Sequence, residues 1–197
     1  MKRSATSFQI LFALLFLLFA SCSYNPVVSN VNTTSASQSE GASQNQNAAT
    51  EIKSLPPPTG FVNDFAGVFD SQSKERLESL LSQLRDKSAI EFAVVTVDTT
   101  GGQPIFDYSL ALARQWGIGP KDTSKGGGLL LMLAIKDRQW RLQVSRNLEK
   151  DLPDEICKEL GDQSASLYKQ GKYGEGINKY VNLIIQRLEK RRGFKLG

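Results

Sequence analysis

Leu129-Leu130-Leu131-Met132-Leu133-Ala134-Ile135, then Lys136-Asp137, then Arg138-Gln139-Trp140-Arg141-Leu142-Gln143-Val144 is the most informative run in the chain. Seven consecutive apolar residues bounded by polar ones read as a strand buried on both faces. Lys136-Asp137 predicts a tight turn. Beyond it Trp140, Leu142 and Val144 alternate with Gln139, Arg141 and Gln143, the period of a half-exposed antiparallel strand. Upstream, Glu91 to Val97 is apolar on both faces and predicts a second buried strand. Leu77, Leu80, Leu81 and Leu84 recur at helical spacing behind Asp70, whose side chain can cap a helix starting at Ser71 and ending near Lys87-Ser88. Pro104 suits the first turn of a helix running to Trp116, with Ile105, Tyr108, Leu112 and Trp116 on its buried side. Pro153 opens a third helix with Asp154 and Glu155 at its positive end, and Ile156, Leu160 and Leu167 as its apolar face. A last helix follows Gly171 to Gly176 and buries Ile177, Tyr180, Val181, Ile184, Ile185 and Leu188. Helix, strand, helix, strand, strand, helix, helix argues an α/β fold: a three-layer α/β/α sandwich around a mixed sheet of about four strands.

Residues outside this domain read differently. Lys2 and Arg3 precede an unbroken apolar run of 11 residues, Ile10 to Ala20, too short to span a bilayer and right for a signal peptide over residues 1–21. The run closes on Phe19-Ala20-Ser21-Cys22, which resembles a bacterial lipobox with Phe19 in place of the usual Leu. That resemblance implies cleavage before Cys22 and acylation of the Cys22 thiol, with palmitate-like chains; more than one chain is what stable anchoring requires. The alternative is an ordinary cleaved signal peptide that happens to contain a cysteine. Residues 22–54 form a tether. From Ser23 to Ser54, 18 of 32 residues are Ser, Asn, Gln or Thr, with no apolar period, so the segment cannot offset its ordering entropy. As a flexible coil it reaches roughly 30 Å, and Pro56-Pro57-Pro58 stiffens its end. The folded domain is expected over 55–192, with a tail at 193–197.

Composition removes whole classes of chemistry. The 197 residues include no His and only 2 Cys, which excludes His-based triads and dyads, His-ligated zinc and disulfide frameworks. A net charge of +4, halved once Lys2 and Arg3 are removed, comes without a basic stripe interleaved with aromatics, so nucleic acid is not an expected partner. There is no phosphate-binding Gly-x-x-x-x-Gly-Lys loop. Cys157 has no Arg six residues on and reads as a half-buried structural thiol. Asp98 ends a buried strand, where α/β sites gather, but lacks a second acid two residues on and reads as a turn residue before Gly101-Gly102.

The remaining candidates are Asp64, Asp122, Asp137, Arg138, Arg146 and Glu149. Asp64 follows a short extended segment and Asp122 precedes the central strand. Carboxylates from two such loops could hold Ca2+ or Mg2+, which take oxygen ligands. The structural alternative for Asp64 is a cap on the backbone near Ala66 and Gly67. Asp137 and Arg138 are solvated hairpin residues in the simpler reading and ligand-loop residues in the other. Glu149 can cap the approach to the third helix or pair with Arg146.

From Leu55 to Arg192 the chain resembles a TPM domain, a family found in thylakoid-lumen and photosystem II repair proteins and in bacterial envelope proteins. The resemblance rests on a series in the right order: Phe61-Val62-Asn63-Asp64-Phe65-Ala66-Gly67-Val68, Glu91 to Val97, Gly128 to Met132, Asp137 to Leu142, and Leu148-Glu149 with Leu152-Pro153-Asp154. It implies an α/β/α fold and a phosphatase activity with clustered acids and, in some members, a divalent cation. The chain departs from the family twice. Gly126-Gly127-Gly128 stands where members commonly have Asp-Asn-Gly, which removes a candidate metal carboxylate. Ser145-Arg146-Asn147 stands where members commonly have Gly-Tyr-Gly, which removes a loop open to close backbone approach. Two function classes are therefore expected. One is a membrane-tethered binding, assembly or maintenance factor for an envelope protein, facing the periplasm or extracytoplasmic side. The other is a divalent-metal-dependent acid phosphatase using Asp64 and Asp122. Ser23 after Cys22 favours the outer membrane under the enterobacterial sorting rule. The basic end at Lys190-Arg191-Arg192 and Lys195 is a solvated tail or a contact to anionic headgroups.

Overall fold

Strand pairing follows the two apolar runs. The computed structural model describes residues 55–121 and 126–197; the signal peptide, Cys22, the tether and Asp122 lie outside them. β1 (Val62–Asp64), β2 (Ile90–Val97), β3 (Gly127–Ala134) and β4 (Gln139–Val144) form one sheet in the order β1-β2-β3-β4. β1, β2 and β3 run parallel, and β4 returns antiparallel to β3 with Leu131 opposite Leu142. The expected mixed four-stranded sheet is therefore present. Every residue of β3 is buried, as its unbroken apolar run requires.

The two faces of the sheet take unequal cover. Phe92, Val94, Leu129, Leu131 and Leu133 face α1 (Ser71–Ser88), α3 (Asp154–Asp162) and α5 (Tyr173–Arg192). Ala93, Val95, Val97, Leu130 and Met132 face α2 (Ile105–Trp116), through Tyr108 and Leu112. The three layers of the sandwich follow. Both crossovers, β1-α1-β2 and β2-α2-β3, step the same way across the sheet, yet their helices lie on opposite faces. The two crossovers therefore have opposite hands, and one belongs to the rare left-handed class.

Local signals behave as expected at most ends. Asp70 caps α1, accepting from Ser73 N at 2.8 Å. α1 ends on Ala89 and α2 on Gly117, both left-handed.

Four expectations need correction. The turn between β3 and β4 is not the two-residue Lys136-Asp137 but the four-residue Ile135-Lys136-Asp137-Arg138, because Ala134 pairs with Gln139. The third helix stops at Asp162, and Leu167 belongs to a separate short α4 (Ala165–Lys169). The buried residues of α3 are Cys157 and Gly161 rather than Ile156 and Leu160. Gly161 is there because the Trp140 indole occupies the space of its side chain: a Cβ would lie 2.4 Å from the ring. Cys157, read as half-buried, is 5% exposed. No helix among the described residues is long and apolar enough to cross a membrane.

Candidate functional site

The carboxyl ends of parallel strands are where α/β folds collect function. Three loops meet there: the one after β1, the one after β2, and the β3–β4 turn. Asp64 ends β1 beside Thr96 of β2. Its Oδ1 accepts from Val68 N at 3.0 Å and its Oδ2 from Phe69 N at 3.0 Å, and the Thr96 hydroxyl also donates to it. The cap expected near Ala66 and Gly67 thus falls one and two residues later. Phe65 N donates to Thr96 O at 3.0 Å and Ala66 N to Thr96 Oγ1 at 3.3 Å, so the whole Asp64 to Phe69 loop is folded onto the end of β2.

Asp137 is more than a solvated hairpin residue. Its carboxylate accepts from Thr99 Oγ1 at 2.8 Å and from Thr100 N at 2.8 Å, tying the turn to the loop after β2. These hydrogen bonds, led by the one from the Thr100 backbone, hold its pKa below the ordinary carboxylate value. Asp98, at the end of β2, pairs with Lys136 at 2.8 Å in solvent. Arg138 is exposed, with φ at +55°. Each acid at this end of the sheet therefore already accepts hydrogen bonds from neighbouring loops.

The other candidates sit elsewhere. Gly127 N donates to Ala89 O at 3.2 Å, and Gly119 N donates to Glu91 Oε2 at 2.9 Å. The described residues on either side of Asp122 thus lie at the amino end of the strands, opposite to Asp64, and Asp122 itself is outside the described residues. Among the described residues no group of three His, Cys, Asp or Glu is placed to hold a metal ion. Arg146 and Glu149 are exposed, and no ion pair joins them among the described residues. No side-chain hydrogen bond of Glu149 reaches α3 among the described residues.

The two departures from the family pattern turn out to be partners. Ser145 Oγ accepts from Gly128 N at 2.9 Å and donates to Asn147 Oδ1 at 2.8 Å, while Asn147 Nδ2 donates to Gly126 O. A Cβ on Gly126 would strike Ala89 O, and one on Gly128 would lie 2.5 Å from Ile118 O. The glycine run is a packing device, cinched by the Ser145 and Asn147 side chains.

Sequence reasoning missed one feature. A cavity of ≈ 560 Å3 opens between the β3–β4 turn and the corner joining α4 to α5. Ile135, Trp140, Tyr168 and Tyr173 supply its apolar wall, and Arg138 and Lys169 stand at it. Tyr168 and Tyr173 stack at 6.1 Å between ring centroids, and Trp140 meets Tyr180 edge-on at 5.2 Å. Burial pushes the Tyr168 phenol above its ordinary range. The signal available in the sequence was a pair of tyrosines on either side of Gly171.

Comparison with known proteins agrees with this architecture. A family model for the TPM domain matches residues 62–187. The N-terminal domain of a protein from P. gingivalis, solved by solution NMR, is 34% identical, with 68% of this chain and 84% of that chain covered and a TM-score of 0.61. The BA42 protein from the psychrophilic bacterium Bizionia argentinensis shares the fold at 14% identity, with 62% and 82% covered and a TM-score of 0.52. No curated protein matches the chain. With the family model spanning well over half of its length, the chain belongs to the TPM domain family.

Proposed function

We propose that this chain is a lipoprotein of the bacterial cell envelope, anchored through Cys22, whose TPM domain binds, assembles or maintains envelope proteins. The supporting observation is the employment of the acids at the carboxyl end of the sheet. Asp64 and Asp137 accept hydrogen bonds from neighbouring loops, and Asp98 is paired with Lys136. Carboxylates spent on fixing loops supply the preorganised frame that a binding domain needs. The apolar run before Cys22 and the polar segment after it support the anchor and the reach.

The test is in-cell cross-linking of the full chain, beside a Cys22→Ala form. Recovery of the same envelope proteins by the anchored form, and their loss with Cys22→Ala, is the expected result. Mass spectrometry showing an unmodified mature N-terminus ends the lipoprotein reading. Turnover of p-nitrophenyl phosphate that needs Ca2+, Mg2+ or Mn2+ and disappears in Asp122→Ala replaces the binding reading with a phosphatase. Asp122→Ala is the cleaner variant, because Asp64→Ala would also release the loop that Asp64 holds.

A further inference from the structure

We propose that the cavity between the β3–β4 turn and the α4–α5 corner captures the C-terminus of a partner polypeptide, seating its apolar last side chain and its free carboxylate. The proposal rests on the binding reading above and names the chemistry of the partner.

The wall is apolar and built to stay in place. Trp140 is fixed from behind by Gly161 and edge-on by Tyr180, and the stacked Tyr168 and Tyr173 rings form the opposite side, with Tyr168 seated over Gly176. Rigid aromatic walls bind at low entropic cost. The rim is cationic. No Asp or Glu lines the cavity, and the Arg138 and Lys169 side chains have no hydrogen-bond or ion-pair partner among the described residues. Nearby cations differ: Lys136 pairs with Asp98, Arg141 with Asp154 and Lys172 with Glu175. Arg138 also holds a left-handed backbone, where Gly or Asn would be relaxed.

An anion beside an apolar body satisfies rim and wall together. Inorganic phosphate would meet the cations and leave the aromatic wall wet. An internal Asp or Glu separates its charge from the neighbouring side chain. A C-terminal residue carries carboxylate and side chain on one Cα, and a guanidinium takes a carboxylate through two parallel hydrogen bonds. The volume of ≈ 560 Å3 lies in the range of small-ligand cavities and suits one or two side chains.

Trp140 reports directly on the site. The full chain carrying Trp116→Phe leaves Trp140 as its one indole. The probes are acetyl-Gly-Ser-Gly-Ser-Leu-Phe with a free carboxylate, the same peptide amidated, and phosphatidylglycerol vesicles. The expected result is a Trp140 response to the free acid at least about tenfold tighter than to the amide. In Arg138→Asn with Lys169→Gln that preference is lost while the melting temperature holds, since Asn accepts a left-handed backbone. Equal affinity for acid and amide, no response to either, or a response to vesicles alone overturns the proposal. The two readings fail separately. Cross-links to envelope proteins that survive in the double variant overturn this site and leave the binding function standing. Absence of cross-links in the parent chain overturns the binding function, whatever the peptides do.

Discussion

Asp64 and Asp137 do the same work at two places: each is a carboxylate holding a loop to the end of β2. At Asp64 two backbone N–H groups and one hydroxyl converge. Asp64→Asn turns one acceptor into an NH2 that faces Val68 N or Phe69 N, donor against donor. A loss of about 1–3 kcal/mol in urea unfolding is expected, the cost of leaving a partly buried donor unmet. Asp137 gives a pH signature. Hydrogen bonds to its charged form, led by the one from Thr100 N, hold its carboxyl below the ordinary carboxylate value in the folded state. Its contribution is therefore present above the unfolded value and lost as pH falls through the folded one. Protection of the Thr100 amide in hydrogen exchange should persist as pH falls through the ordinary carboxylate range, be lost only at still lower pH, and vanish at all pH values in Asp137→Ala. Cys157 has the opposite sign. Burial pushes its thiol from 9.0 up to about 11, keeping it neutral when folded. Stability is complete below pH 9 and declines as pH rises toward 11, where the unfolded thiol ionises and the folded one does not. The alkaline limb of a melting-temperature profile should be shallower in Cys157→Ala.

At the scale of elements, glycines mark where two elements touch. Gly161 faces Trp140 across the α3–β4 contact, and its Cβ would lie 2.4 Å from the indole. Gly161→Ala gains about 1 kcal/mol of helix propensity and loses about 1–3 kcal/mol to overpacking. Overpacking wins, so the variant should melt earlier, with a changed near-ultraviolet circular dichroism band from Trp140. Helix ends and strands were legible because their signals are short in sequence. Asp70 caps a residue three positions on, and the run from Leu129 to Ala134 carries its own burial pattern. The division of α3 from α4 was not legible. A continuous apolar period can be written across two helices, while the break itself falls at Gln163-Ser164, where Ser164 N donates to Gly161 O at 2.9 Å and tightens the turn.

For the whole molecule, the unequal cover of the sheet predicts unequal stability. One face carries α1, α3 and α5, and the other rests on α2, whose main anchors are Tyr108 and Leu112. Native-state hydrogen exchange should show α2 amides opening at lower free energy than those of β2 and β3, as elements with less buried contact do. Uniform opening energies across the domain would contradict this.

The two central strands and the hairpin that follows them, the apolar faces of α1 and α5 and the absence of histidine chemistry were present in the linear chain, whereas β1 as a strand and the break between α3 and α4 were not. Each legible feature depends on residues within a few positions of one another. Which face α2 covers, and hence the opposite hands of the two crossovers, could not be read that way, since the same helical stripe packs on either side of a sheet. The role of the acids also waited for the tertiary structure. Asp64 meets Thr96 from 32 residues away and Asp137 meets Thr99 from 38. A carboxylate available to a ligand and one held by hydrogen bonds are the same letter until the folded chain supplies the donors.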